Sequence, residues 1–267
     1  MKKLIAILFM TVFLFGCNPK KEEHKETEKE KTEHQSTEKE PAAILEEGSY
    51  VHPDGTICHA QSPINILSFN ADSQGMHNIT FNFKDEINAV ENLGHTVQLD
   101  FKEGSTITVD GETFNFRQLH FHTPSEHLID GVTYPMEMHM VNTLQDQKEG
   151  ETPQFLVIGA LFKMGKESKF ISEFINSIPE EEHEKTEVIP GQILVGDLFS
   201  ERPEDVLDSY YHYMGSLTTP PYTESVRWYV SKHIFEASPQ QIKRILEIEG
   251  ANARHVQSLN DRTLESN

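Results

Sequence analysis

The sequence predicts a mainly β protein with a single folded domain. The prediction rests on seven segments of alternating or densely β-branched and aromatic residues, an Asp110-Gly111 pair between two of them, and only two stretches of helical periodicity. At 267 residues the chain is long enough to bury a substantial core, and it carries no visible repeat or second domain.

In chain order, Met1 to Cys17 reads as a targeting leader rather than as part of the fold. Lys2 and Lys3 supply its charged start, and Leu4 to Phe15 is an apolar run too short for a comfortable membrane span. Leu14-Phe15-Gly16-Cys17 resembles a bacterial lipoprotein processing site. Cys17 is therefore expected to be lipidated and to anchor the exported chain on the extracytoplasmic side of a bacterial membrane, at the cell surface or in the periplasm. An ordinary secretory signal and an uncleaved anchor are the alternative readings. Residues 18–41 form a charged tether rich in Lys, Glu, Thr and His, with too few apolar groups to offset the entropy of ordering. His24 and His34 within it are expected to be solvated. Residues 42–267 make up the folded domain, with order beginning between Ala42 and Tyr50.

Within that domain, strands are predicted at Ile79–Phe83, Thr96–Phe101, Ser105–Val109, Thr113–Thr123, Tyr134–Val141, Gln154–Phe162 and Ser225–Val230. Asp110-Gly111 reads as a hairpin turn. Glu167 to Ile178 places Phe170, Ile171, Phe174, Ile175 and Ile178 on one helical stripe. A second helix, Pro239–Glu249, opens on a Ser238 capping box with proline in the first turn and closes at Gly250.

The formal charge of −20 excludes a phosphate-backbone partner, because no basic excess is available to displace counterions. Nucleic acid is therefore not an expected ligand. A metal is. His120 and His122 are two apart, so on a strand both imidazoles share one face while Leu119 and Phe121 take the other. A second alternating run offers His139 on the same face as Glu137 and Val141, and an antiparallel pairing would bring it beside the first two histidines. Three neutral imidazoles leave one tetrahedral position open, the layout of a catalytic zinc. Gln118 and Glu137 each precede a ligand by two residues on its own face, and each is placed to accept an N–H from a ligating ring. A solvated polar face is the bland reading of a His-x-His pair alone.

Further along, Gly215-Ser216-Leu217-Thr218-Thr219-Pro220-Pro221 joins Gln61-Ser62-Pro63-Ile64-Asn65-Ile66, Asn92-Leu93-Gly94-His95 and the block from Gln118 to His139, which contains Ser125-Glu126-His127. With these motifs in this order, the chain resembles an α-class carbonic anhydrase over roughly Tyr50 to Arg262. The resemblance implies a large twisted, mostly antiparallel central sheet with a few short peripheral helices. It implies a zinc enzyme that hydrates carbon dioxide reversibly to bicarbonate and a proton through attack by zinc-bound hydroxide. His120, His122 and His139 match the zinc ligands, Gln118 and Glu137 the partners of two of them, and Thr218 the gatekeeper whose hydroxyl donates to Glu126. Thr219 lines the same wall. Val141, Val157, Leu217, Val226 and Trp228 match the apolar pocket for carbon dioxide, and His95 matches the proton shuttle. Trp228 and Val226 would also be core residues in any β protein.

The chain departs from the family pattern in three places. Its N-terminal aromatic stretch is shortened to Gly48-Ser49-Tyr50. Secreted bacterial members pair a cysteine before Gln-Ser-Pro with one after Thr-Thr-Pro-Pro, whereas this chain has Cys58 and then Tyr222, so that disulfide is not expected. His255 stands where the family usually has proline. Two rival functions share the same residues: a zinc-lacking binding module of the same fold, and a lipid-anchored adhesin or zinc-sequestering protein. Retention of all three histidines with Glu126 and Thr218 argues against the first.

Overall fold

A computed structural model of the chain describes residues 50–51, 55–73, 76–84, 87–200 and 209–267. The leader, the Cys17 anchor, the tether and residues 42–49 lie outside the described residues. Among the described residues, twelve strands form one mixed sheet. They are β1 (Ile79–Asn82), β2 (Ile87–Asn92), β3 (Val97–Phe101), β4 (Thr106–Val109), β5 (Glu112–His122) and β6 (Met136–Leu144). After these come β7 (Phe155–Met164), β8 (Glu184–Glu187), β9 (Tyr210–Gly215), β10 (Val226–Ser231), β11 (Phe235–Ala237) and β12 (Glu265–Ser266). The main path runs β8-β2-β3-β5-β6-β7-β10-β9-β12, with β11 beside β7 and β1 reaching β5 through β4.

Pairing is antiparallel except where β7 runs parallel to β10 and β11. The long connection from β7 to β10 carries both shorter helices, as a parallel pair requires a crossover rather than a tight turn. Asp110 and Gly111, at φ 51° and 88°, make the two-residue turn between β4 and β5. Both values are positive, as a primed hairpin turn demands.

Alternation sorts the strands into two apolar layers. Leu119, Phe121, Met136, Met138, Met140, Leu156, Ile158 and Phe162 fill one face, where the helices pack. Val157, Leu161, Tyr213, Val226, Trp228 and Val230 pack on the other. Helix α1 spans Lys169–Phe174 and continues as a 3-10 turn over Ile175–Ser177, so the predicted Glu167–Ile178 element is shorter and breaks geometry near its end. Its start is capped by Ser168, whose side chain accepts from the Ile171 N–H. Helix α2 covers Val195–Ser200. Helix α3 covers Pro239–Glu249 and has the predicted capping box at Ser238 and Gln241, ending at Gly250 with φ 68°.

Among the described residues no helix is long and apolar enough to cross a membrane. Cys58 is buried.

Candidate metal centre

Strand pairing alone brings the three histidines together. In the β5–β6 register His139 lies opposite His120, Glu137 opposite His122 and Val141 opposite Gln118. The ring centroids of His120, His122 and His139 are 4.9, 5.2 and 4.5 Å apart in pairs. One nitrogen from each falls within 4.8 Å of the others. The intervening Leu119, Phe121, Met138 and Met140 point the other way and are fully buried, which fixes the histidine face by fixing its reverse.

Two of the rings are held in defined tautomers. His120 Nδ1 lies 2.8 Å from Gln118 Oε1 and donates to it, which leaves Nε2 as the lone-pair nitrogen. His139 is reversed. Its Nε2 donates to Glu137 Oε1 at 2.9 Å, leaving Nδ1 free for a ligand. His122 is 3 % exposed, yet neither of its ring nitrogens has a hydrogen-bond partner among the described residues. Burying such a group is costly unless something else satisfies it. A metal ion would.

Burial pushes His120 down to about 3, with His139 adding to the effect. His122 is held well below its ordinary value by burial and by His139 and His120. His139 is lowered by burial against the pull of Glu137. The three are thus neutral imidazoles, the protonation state a metal needs. Glu137 behaves oppositely. Burial works to raise its pKa, but His127 and His139 outweigh burial and hold its carboxyl well below the carboxylate range. Its Oε2 accepts the backbone N–H groups of Glu126 and His127 at 2.9 and 2.7 Å, and its Oε1 also lies 2.7 Å from His127 Nδ1.

Sequence reasoning missed the supports of this carboxylate. His127 Nε2 is 2.7 Å from the Tyr213 hydroxyl, which is in turn hydrogen-bonded to Ser62 Oγ at 2.9 Å. The Ser62 N–H donates to Ser216 Oγ at 2.9 Å and Trp228 Nε1 donates to the Ser216 carbonyl at 3.0 Å, tying the two distant motifs to the histidine face. Gly159 sits opposite His139 on β7, where an added Cβ would come within 3.1 Å of Glu137 Oε1. A glycine inside the apolar Phe155–Met164 run was the available signal, since such a glycine marks close approach.

Glu126 is fully buried. Its Oε1 accepts the Arg254 N–H at 2.8 Å and lies 3.5 Å from His122 Nδ1, while its Oε2 lies 3.8 Å from His139 Nδ1. Burial pushes the Glu126 carboxyl up to about 8, opposed by the Arg254 N–H and by a hydrogen bond from the buried Thr218. Helix α3 buttresses this end of the site. Glu249 Oε1 accepts from Thr123 Oγ1 and Asn252 Oδ1 accepts from the Thr123 N–H, both at 3.0 Å, just beyond His122.

An open cavity of about 220 Å³ reaches the histidines, lined in part by His95, Gln98, Gln118, His120, His122 and Thr219. His95 sits on its exposed rim, in a turn where Gly94 takes φ 78° and donates its N–H to Asn92 Oδ1. The ring's Nδ1 donates to the Leu93 carbonyl at 3.0 Å, so Nε2 is its basic nitrogen. Val157, Val226 and Trp228 are buried in one apolar cluster, and Val141 and Leu217 pack on it with part of their surface open. Trp228 joins that cluster to the metal face, its ring 4.8 Å from that of His139.

Three histidines on one face of a large mixed sheet, two of them held in defined tautomers, stand at the foot of an open cavity as a β protein's group that could hold a metal ion with one tetrahedral position left open. The family model described as eukaryotic-type carbonic anhydrase matches residues 52–267. A carbonic anhydrase of Neisseria gonorrhoeae is 37 % identical over 211 residues, 76 % of each chain. One from Pectobacterium carotovorum is 34 % identical over 79 % of this chain and 83 % of its own. Among solved structures, the α-carbonic anhydrase of Thermovibrio ammonificans in complex with the inhibitor sulfanilamide is 35 % identical, with a TM-score of 0.70 over 77 % of this chain and 86 % of that one. The chain belongs to the α-carbonic anhydrase family of zinc enzymes, whose reaction is the hydration of carbon dioxide.

Proposed function

We propose that this chain hydrates carbon dioxide reversibly with a zinc ion held by His120, His122 and His139. The observation that carries the reading is His122, buried with both nitrogens unsatisfied between two rings whose tautomers are fixed toward it. Bound zinc would supply a Lewis-acidic centre that brings the pKa of a coordinated water toward neutrality, the role long established for carbonic anhydrases in general.

The protein's own groups do the rest. Gln118 and Glu137 hold two of the ligating rings. By the family resemblance, Thr218 would donate its hydroxyl hydrogen to the Glu126 carboxylate, so that toward the cavity its oxygen could accept a hydrogen bond but not donate one. Thr219 forms part of the same wall. Val141, Val157, Leu217, Val226 and Trp228 give the small apolar substrate a dry surface beside the metal face. His95 takes the released proton on Nε2 at the rim and passes it to buffer. Sulfanilamide is expected to inhibit at the same site.

A stopped-flow hydration assay with and without a chelator tests the reading. Activity that falls on chelation and returns with one equivalent of zinc supports it; activity indifferent to zinc, or none in the zinc-loaded protein, overturns it. We further propose that Cys17 carries a lipid that holds the enzyme outside the cytoplasm at a bacterial membrane. Its support is the leader sequence. Incorporation of labelled fatty acid into the wild type and not into Cys17→Ala is the expected result.

A further inference from the structure

On the other face of the same sheet, two more histidines and a glutamate converge from distant parts of the chain. His77 precedes β1, His212 lies in β9 and Glu265 in β12. Adjacent residues on a strand face opposite ways, so Tyr213 reaches the network under Glu137 while His212 stacks on Tyr229 in the opposite layer, with ring centroids 4.3 Å apart. The His77 and His212 rings meet edge to face at 4.6 Å.

The outer nitrogen of each ring is already held. His77 Nδ1 is 2.6 Å from Asp110 Oδ2, and the His77 backbone is fixed by its N–H to the Tyr210 hydroxyl at 2.9 Å. His212 Nδ1 donates to the Trp228 carbonyl at 2.8 Å. Both Nε2 atoms therefore turn inward, toward Glu265 Oε2, which is 3.0 Å from that of His77 and 3.9 Å from that of His212. All three inner atoms lie within 4.8 Å of one another. Ligands around a tetrahedral zinc stand roughly 3.3 to 3.5 Å apart, from bond lengths of about 2.0 to 2.2 Å, so small side-chain shifts would complete the set. Ligating histidines characteristically give their outer N–H to a carboxylate or a backbone carbonyl, and here one does each.

We propose that His77, His212 and Glu265 form a second site for a divalent transition ion, zinc by the chemistry of two imidazoles and a carboxylate, with Asp110 orienting His77. The ion would clamp the segment before β1 and the C-terminal strand β12 onto β9, three pieces that no local sequence joins. His77 and Glu265 keep 21 % and 31 % of their side chains exposed, so a water from solvent can fill the fourth position.

The competing occupant is a proton. Burial tends to lower the His77 pKa, but the hydrogen bonds and charges of Asp110 and Glu265 outweigh it and hold the ring above its ordinary value. His212 is pushed down to about 4, chiefly by burial, so it offers a lone pair with nothing to displace. The groups facing this pair are Asp110 in the β4–β5 turn, Glu265 on β12, Tyr210 on β9, and Tyr229 and the more distant Arg227 on β10. Metal uptake must therefore expel one proton from between His77 and Glu265, and should weaken about tenfold per pH unit below the His77 transition.

Equilibrium dialysis of the zinc-loaded full-length enzyme against micromolar zinc at pH 8, with metal analysis, tests the site by difference. Wild type should hold one zinc more than His77→Gln and one more than the near-isosteric Glu265→Gln, with carbon dioxide hydration unchanged in both. The extra equivalent should be lost on dialysis at pH 5.5. Equal zinc in wild type and both variants means that the cluster is an ion pair only, or that any extra ion sits elsewhere, and overturns the proposal. A variant that loses activity together with all its zinc is replaced by the other, and the wild-type count is decisive by itself: one equivalent and no more refutes a second site.

Discussion

The two histidine clusters share one sheet but differ in how they are built. His120, His122 and His139 come from adjacent antiparallel strands, and their face is fixed by the buried side chains on its reverse. His77, His212 and Glu265 come from a loop, a strand near the sheet edge and a short C-terminal strand. In the first, burial keeps the rings neutral and one of them has no hydrogen-bond partner among the described residues; in the second, His77 is bracketed by two carboxylates and shares its site with a proton. On the readings proposed above, the register-defined cluster would hold its metal without a competing proton, and the cluster assembled from a loop and two strands would hold one only in competition with a proton.

The comparison breaks most sharply at His139→Ala. It should reduce hydration to background and abolish zinc binding at the first cluster, while circular dichroism and the thermal transition change little, because the surrounding core is large. Wild-type activity with stoichiometric zinc in this variant would remove the first cluster from the chemistry. Less severe is Glu137→Gln. It removes the charge that four N–H groups converge on and should weaken zinc affinity by about 10- to 100-fold, read by competition with a chromophoric chelator. Unchanged affinity would mean that His139 needs no oriented partner.

His95→Ala should act on proton export alone. The maximal hydration rate in bulky buffer should fall, by up to about 100-fold as the loss of a positioned acid–base group allows, while isotope exchange between carbon dioxide and bicarbonate at equilibrium stays near wild type. Small imidazole buffers should restore much of the loss. A parallel fall in both rates would place His95 in support of the metal face.

The smallest effect belongs to the second cluster without metal. His77 has a folded pKa above its ordinary 6.5, so its contribution to stability is fully present below that value and fades as pH rises through the folded pKa. Because the ring is partly exposed, the contribution is at most about 1 kcal/mol. In chelator, urea midpoints of wild type and His77→Gln should differ at pH 5.5 and draw together as the pH is raised above the pKa of the free imidazole. A gap that widens with pH would reverse the sign and exclude the ion-pair account of His77.

Part of this architecture is legible residue by residue. Period-two alternation over Gln118 to His122 and again over Glu137 to Val141 places the histidines and their partners on common faces, because a strand leaves its side chains no other choice. Asp110-Gly111 and the Ser238 capping box are equally local, each set by the backbone angles that its residues tolerate. Motif resemblance supplied His95 and Thr218, which no periodicity marks. Strands β2 and β9 escaped the sequence reading, since Asn88, Asn92 and His212 interrupt their apolar patterns and only packed neighbours overcome that.

The sequence by itself determined seven of the strands, the shared face of His120, His122 and His139, and the type of ligand, since these follow from side-chain alternation and chemistry within a few residues. Only the tertiary structure decided that His127, Tyr213 and Ser62 support Glu137, that Gly159 makes room for it, and that His77, His212 and Glu265 meet at all. Those contacts join residues up to 188 positions apart. Closing such loops costs entropy that no short window encodes, and it is offset only when the whole sheet, including its parallel β7–β10 pairing, has formed and buried its two apolar layers.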